Sequence, residues 1–247
     1  MAEIVHLSGS LPRLFARGAV VKICGLREPV HAQAAAVAGA DLLGFIFAPA
    51  RRQVTTEVAR ACIEAARSAV PEREVHAIGV FVDAAPGEIR KIVREADLNA
   101  VQLHGSESPE FLRHIGVPVI KTFRPRPGTT TETLIATIDP YREAPNPPKA
   151  ILLDGFAAGA AGGTGARADW SLAASLNLAE GVFLGGGLDS QNVAAAIRMV
   201  RPVGVDVSSG VETDGVKDIA RIEGFVQAAR LAFQHEDRLP FVAHFPA

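Results

Sequence analysis

Two residues that could exchange protons stand at the ends of short apolar runs. Val20-Val21-Lys22-Ile23-Cys24-Gly25 reads as a buried strand that stops at a thiol and a glycine able to turn the chain. Ala150-Ile151-Leu152-Leu153-Asp154 stops in the same way at a carboxyl group. A thiol titrates near ~8.5 when unperturbed, so a modestly electropositive setting makes it a base near neutral pH. A partly desolvated aspartate can hold a proton. One group that takes a proton and another that gives one suit an isomerase. Other polar residues fall at equivalent places: Asp83 after residues 79–82, Gln102 and His104 in Val101-Gln102-Leu103-His104-Gly105, and Asp206 before Ser208-Ser209-Gly210.

Three late glycine-rich turns could gather backbone N–H groups around an anion: Gly162-Gly163-Thr164-Gly165, Gly185-Gly186-Gly187 and Ser208-Ser209-Gly210. The second precedes a helix expected to begin near Asp189-Ser190-Gln191-Asn192, which are good capping residues. A phosphorylated substrate follows. The Gly-x-Gly-x-x-Gly and Gly-Lys-Ser/Thr patterns of dinucleotide and nucleoside triphosphate sites are missing, and so is any His-x-x-x-His or paired-Cys spacing for a metal. Each residue also has a plainer reading taken singly. A lone cysteine is usually a small buried hydrophobe, the reading given to Cys62 beside Val58, Ala61 and Ala65. Asp154 and Asp83 could be turn or cap residues. Asp206 could hydrogen-bond the phosphate loops or sugar hydroxyls, Gln102 and His104 could fill the floor of a pocket, and the glycine turns could be mere tight connections.

The elements that must position these residues alternate. Strand-like runs lie near 19–23, 42–46, 75–82, 99–103, 117–121, 150–153, 181–184 and 203–207. Helix-like runs lie near 28–38, 56–69, 86–96, 108–115, 131–138, 170–176, 189–200 and 216–232. The strands are continuous apolar runs, which implies burial on both faces. Eight such βα pairs favour a single-domain α/β fold, a closed (β/α)8 TIM barrel, over an open doubly wound sheet. In that fold the carboxyl ends of the strands ring one opening, so Cys24, Asp83, Gln102, His104, Asp154 and Asp206 would face the same space. Residues 1–18 read as an N-terminal extension, 19–235 as the barrel and 236–247 as a C-terminal tail strapped across it. The proline-rich stretches 124–131 and 139–148 read as surface loops flanking a short helix.

Composition narrows the partners. The 247 residues suit one barrel, and a hydrophobic share of 48% supports a sizeable core. A net charge of −2 gives no electrostatic case for nucleic acid or an anionic membrane. Two cysteines make no disulfide framework and fit a reducing cytoplasm. No signal peptide or run of ~20 apolar residues is evident. A small-molecule phosphorylated substrate is the expected partner, with the protein itself a monomer or homodimer.

Taken in order, Val21-Lys22-Ile23-Cys24-Gly25, Gly44-Phe45-Ile46-Phe47, Gly79-Val80-Phe81-Val82, Val101-Gln102-Leu103-His104-Gly105, Leu152-Leu153-Asp154, Gly162-Gly163-Thr164-Gly165, Gly186-Gly187-Leu188 and the run from Gly204 to Glu212 resemble the phosphoribosylanthranilate isomerase family of tryptophan synthesis. The resemblance runs from about residue 20 to 232. It implies a (β/α)8 barrel without cofactor or metal that performs an Amadori rearrangement of N-(5-phosphoribosyl)anthranilate. It further implies Cys24 as general base, Asp154 as general acid, and Arg52 as the group that meets the anthranilate carboxylate. Gly163, Thr164, Gly165, Gly186, Gly187, Ser208, Ser209 and Gly210 would hold the phosphate. Three departures affect loops: the stretch Ala48-Pro49-Ala50-Arg51-Arg52 looks one residue short, so that Arg51 could replace Arg52; Ala166 and Ala168 replace larger residues; and the turn after Glu212 is cut to Thr213-Asp214-Gly215. The alternatives are another phosphosugar aminoaldose–ketose isomerase, and a barrel that serves as a binding module without catalysis.

Overall fold

The apolar strands have two buried faces because each lies between a barrel interior and a ring of helices. In a computed structural model describing residues 14–15, 18–156, 168–176, 178 and 181–236, eight parallel strands close on themselves in chain order. They are β1 (Val20–Cys24), β2 (Leu42–Ile46), β3 (His76–Phe81), β4 (Ala100–Leu103), β5 (Val119–Phe123), β6 (Ala150–Leu153), β7 (Val182–Leu184) and β8 (Gly204–Val207). β8 pairs back onto β1, with Val20 opposite Gly204 and Lys22 opposite Asp206. The expected (β/α)8 barrel is therefore the fold.

Side chains alternate along each strand between the two faces. Val21, Ile23, Leu43, Phe45, Val101, Leu103, Ile151 and Leu153 belong to the core shared with the helices. Val20, Leu42, Ile78, Ala100, Ile120, Ala150, Leu152 and Phe183 form a second cluster inside the barrel. Phe15 packs edge-on against Phe183, ring centroids 5.8 Å apart, and joins that interior cluster. Two residues further along β1, β4, β6 and β8, the same inward face carries Lys22, Gln102, Asp154 and Asp206. The interior thus turns from apolar to polar toward the carboxyl ends.

The outer helices are α1 (Pro29–Ala38), α2 (Thr56–Ala69), α3 (Pro86–Ala96), α4 (Thr131–Arg142), α5 (Trp170–Ser175), α6 (Val193–Val200) and α7 (Ile219–Glu236). Their starts follow ordinary capping rules. Thr55 and Thr130 accept from the N–H groups of Val58 and Thr133, Asp169 accepts from Leu172, and α1 and α3 carry proline in the first turn. Ala59, Cys62, Ile63 and Ala66 line the buried face of α2 at helical spacing, so Cys62 is a core residue. None of the helices is long and apolar enough to cross a membrane among the described residues.

Four elements differ from expectation. The helix sought over 108–115 is a 3-10 helix, Pro109–His114, which suffices for the short crossover ahead of β5. α4 runs through Pro140 to Arg142, because a proline in the last turn forfeits one bond while Glu143 N–H still reaches the Asp139 carbonyl. α6 starts at Val193: Asp189 folds its carboxylate onto the N–H groups of Gln191 and Asn192 in a preceding turn. Val216 and Lys217, taken as the start of the last helix, instead pair with the residues before the Asp214-Gly215 turn in a two-stranded hairpin, β9 (Glu212–Thr213) and β10 (Val216–Lys217). Asp214 and Gly215 both have positive φ, 52° and 79°, as a two-residue hairpin turn needs. Asp218 then caps α7 by accepting from Arg221 N–H. Asp83 caps no helix; it accepts from Ser106 N–H and so ties the loop after β3 to the loop after β4. The tail from 237 and residues 1–13 lie outside the described residues.

At the amino-terminal end, Asp41 Oδ2 accepts from Val21 N–H at 2.8 Å and from Arg230 at 2.6 Å, clamping β1, β2 and α7 together. Asp41→Ala should lower the melting temperature by several degrees, from a loss of about 1–3 kcal/mol for the orphaned donors. Turnover per folded molecule should be unchanged, since chemistry in such barrels sits at the other end. Thermal melts beside an activity assay check both halves.

Candidate active site

At the carboxyl-terminal end the inward residues surround one cavity of about 360 Å³, lined by Cys24, Arg52, Gln102, His104, Asp154, Asp206 and the turns at 186–188 and 208–210. The size suits a small ligand. Cys24, Asp154, Arg52, Gln102, His104, Asp206, Gly186, Gly187, Ser208, Ser209 and Gly210 all meet there, as expected from the sequence. Gly163, Thr164 and Gly165 lie outside the described residues.

Cys24 ends β1 and is buried and free. Burial pushes its thiol up, while the Lys22 ammonium beside it pulls the other way. The electropositive neighbour that would make this thiol a base near neutral pH is present in Lys22, but removal from water outweighs that cation. Asp154 behaves as expected. Its Oδ1 accepts from Gly155 N–H at 2.8 Å, yet burial, with Asp206 nearby, raises the carboxyl to about 6.

His104 approaches Asp154, Nε2 to Oδ2 3.5 Å, but no ion pair forms. Burial, helped by the positive charges of Arg124, Lys22 and Lys121, pushes the imidazole down to about 3, so it is neutral. Gln102 lies 3.2 Å from His104 Nδ1 and donates to Thr122 Oγ1 at 3.1 Å. With that amide nitrogen donating, Nδ1 accepts and the ring proton sits on Nε2, facing Asp154. Gln102 is therefore a floor residue that orients His104, and His104 is a wall of the pocket.

Between Arg51 and Arg52, the pocket is lined by Arg52 alone. Arg52 is buried and Arg51 half exposed. Gly25, at φ +77°, leaves the room: a β-carbon there would lie 2.6 Å from Arg52 Cδ. Glu212 orients the guanidinium, accepting from Nε at 2.6 Å and from an Nη at 2.8 Å. Lys217 Nζ lies 3.0 Å from the same carboxylate and 2.7 Å from the Ser208 carbonyl, which joins the arginine to the turn after β8. Burial would raise Glu212, but Arg52, Lys217 and Arg51 reverse this and hold it at about 2.

Sequence reading assigned no role to Lys22 or Glu212. The signal for Lys22 was present: a lysine inside a continuous apolar strand must find a buried partner. Glu212 and Lys217 were recoverable from the Asp-Gly hairpin signal, which places them opposite each other.

Fold and site together define a class: a (β/α)8 barrel whose carboxyl-terminal mouth brings a thiol and a proton-holding carboxyl to one small-molecule cavity. The model of the N-(5'-phosphoribosyl)anthranilate (PRA) isomerase family matches residues 21–228, and the chain belongs to that family. The N-(5'-phosphoribosyl)anthranilate isomerase of Desulforudis audaxviator is 45% identical over 213 residues, 86% of this chain and 98% of its own. The phosphoribosyl anthranilate isomerase structure from Thermus thermophilus is 35% identical, with a TM-score of 0.70 over 87% of this chain and 99% of its own. A phosphoribosyl anthranilate isomerase in complex with reduced 1-(o-carboxyphenylamino)-1-deoxyribulose 5-phosphate is 35% identical, with a TM-score of 0.66, over 85% of this chain and 98% of its own.

Glu212 has a folded pKa below its unfolded value of ~4.3, so its stabilising contribution is complete above that value and lost as pH falls toward about 2. Glu212→Gln should therefore be less stable than the parent at pH 6, with the difference shrinking on acidification from pH 5 to pH 2. Melting temperatures of both proteins across that range check it.

Proposed function

We propose that the chain catalyses the Amadori rearrangement of N-(5'-phosphoribosyl)anthranilate to 1-(2-carboxyphenylamino)-1-deoxyribulose 5-phosphate, a step of tryptophan synthesis. The observation that carries the reading is the meeting of Cys24 and Asp154 in one cavity between an arginine and a set of glycine turns. The phosphate sits against the turns at 186–187 and 208–210. The anthranilate carboxylate lies toward Arg52, whose guanidinium can meet both oxygens.

Asp154 gives its proton to the ribose ring oxygen as the C1–oxygen bond breaks, leaving an open-chain iminium. Cys24 then takes the C2 proton, the C2–H electrons form the C1–C2 double bond, and the iminium charge is neutralised. The resulting enolamine becomes the ketone by moving a proton from the C2 hydroxyl to C1, and the thiol proton returns to the carboxylate side. No net proton is consumed and no electron leaves the substrate, so acid–base groups suffice. Asp154 fits its role because burial keeps its proton available up to about pH 6. The neutral His104 beside it adds no charge that would drive that proton off. Two free, buried thiols are consistent with work in a reducing compartment.

Purified protein added to freshly made phosphoribosylanthranilate should speed the loss of substrate fluorescence, and no acceleration over the spontaneous rate would reject the reading. Cys24→Ala and Asp154→Asn should each lower kcat by ~100-fold or more.

The pH dependence gives a separate check. The productive form needs a thiolate beside a neutral carboxyl, although the carboxyl titrates at about 6 and the thiol above its ordinary value. Between those two values one fraction grows as the other shrinks, so kcat/KM of the parent should be flat. In Asp154→Asn only the thiolate fraction remains, and residual kcat/KM should rise about tenfold per pH unit across the same interval. Parallel profiles in the two proteins would remove Asp154 from the acid role.

A further inference from the structure

Lys22 is fully buried inside the barrel, where a lone ammonium would be intolerable. Its partner is fixed by strand register. Lys22 stands opposite Asp206 across the β1–β8 seam, and Nζ lies 2.8 Å from Oδ1. The same ammonium is a neighbour of the Cys24 thiol two residues along and favours its ionised form. Gly44, opposite Cys24 on β2, makes room for this: a β-carbon there would lie 2.8 Å from Sγ and 3.0 Å from Nζ. The other end of the pair points toward the acid. Asp206 Oδ2 and Asp154 Oδ1 each lie 3.6 Å from a single point, the place of a β-carbon on Gly185. The pair therefore runs from beneath the thiol to beside the carboxyl.

We infer that the buried Lys22–Asp206 ion pair tunes the two reacting groups in opposite senses, its ammonium favouring the Cys24 thiolate and its carboxylate favouring the neutral Asp154 carboxyl. The inference rests on the acid–base reading above and adds positioning residues to it. The sign at each end follows from Coulomb's law: a neighbouring cation stabilises a thiolate, and a nearby anion disfavours a second anion. The other charges around the two groups do not undo this. Cys24 faces Lys22 from its own strand, Asp206 from β8 and Lys217 from β10, and the two lysines both act against the burial that raises the thiol. Asp154 faces Asp206 from β8, Lys22 from β1, Arg124 after β5 and the neutral His104 after β4; among these Asp206 reinforces the burial that raises the carboxyl.

The test reads the two groups directly, without substrate. Iodoacetamide alkylation of Cys24 is followed against pH by peptide mass spectrometry, which separates it from Cys62. The Asp154 carboxyl is followed by carbon NMR. In Lys22→Met the alkylation midpoint should rise by about one pH unit or more. In Asp206→Asn, where the ammonium is freed from its competing anion, the midpoint should fall, and the Asp154 titration should fall with it. Opposite shifts of the thiol in the two variants support the inference, since generic loosening of the fold would move both the same way. Unchanged midpoints, or shifts in one direction, overturn it. If Lys22→Met does not fold, Asp206→Asn decides alone: paired downward shifts support the inference and any other result overturns it. The base assignment fails separately, through near-normal turnover of Cys24→Ala, whatever the alkylation midpoints do.

Discussion

A barrel must bring its last strand back to its first, and here the closing seam holds a buried ion pair. Lys22 and Asp206 are 184 residues apart in sequence yet face each other in register, 2.8 Å from charge to charge. As a stabilising device the pair is a poor choice. Taking two ions out of water costs several kcal/mol each, and apolar residues of similar volume often serve a fold as well or better. The layer below shows that this barrel can be closed without charge, since Val20 meets Gly204 there above an apolar plug that includes Phe15 and Phe183. What the charged layer provides is an oriented field under the reacting groups, fixed in place by backbone pairing.

The same logic runs around the mouth. Arg52 comes from the loop after β2, Glu212 and Lys217 from the hairpin after β8, and their contacts make one unit of two loops distant in sequence. Lys121, on β5, reaches Glu107 and the Gly105 carbonyl and so holds the loop that carries His104. The loops after β2, β4 and β8 are thus tied to a strand or a neighbouring loop by a buried charge. A site built this way keeps its geometry through electrostatics in a region where apolar packing would fill the cavity it needs.

The alternation of strands and helices was plain in the sequence because continuous apolar runs can be buried on both faces in few other ways. The strand-end polar residues were legible for the same reason: Cys24, Gln102, Asp154 and Asp206 interrupt or end runs that are otherwise apolar. Reading failed where local pattern and tertiary need diverge. Residues 108–115 have helical composition, but the short crossover accommodates only a 3-10 turn. Pro140 suggests a stop, but its place in the last turn makes it cheap. Lys22 lay in a quoted motif without a role, because its partner lies on the far side of the chain and only strand register reveals it. The direction of the Cys24 shift was not legible, because sequence hides the depth of burial that outweighs the neighbouring lysine.

The raised thiol has a chemical consequence. With the thiol raised and the carboxyl titrating at about 6, the free protein at neutral pH holds mostly thiol and carboxylate, the inverse of the reacting form. The two forms differ only by the place of one proton and carry the same net charge. Their ratio is therefore independent of pH, and only the local field can change it. A dipole with its positive end at the sulfur and its negative end at the carboxyl is the arrangement that favours the reacting form. The seam of the barrel supplies such a dipole without placing any further charge in the cavity that the substrate must enter.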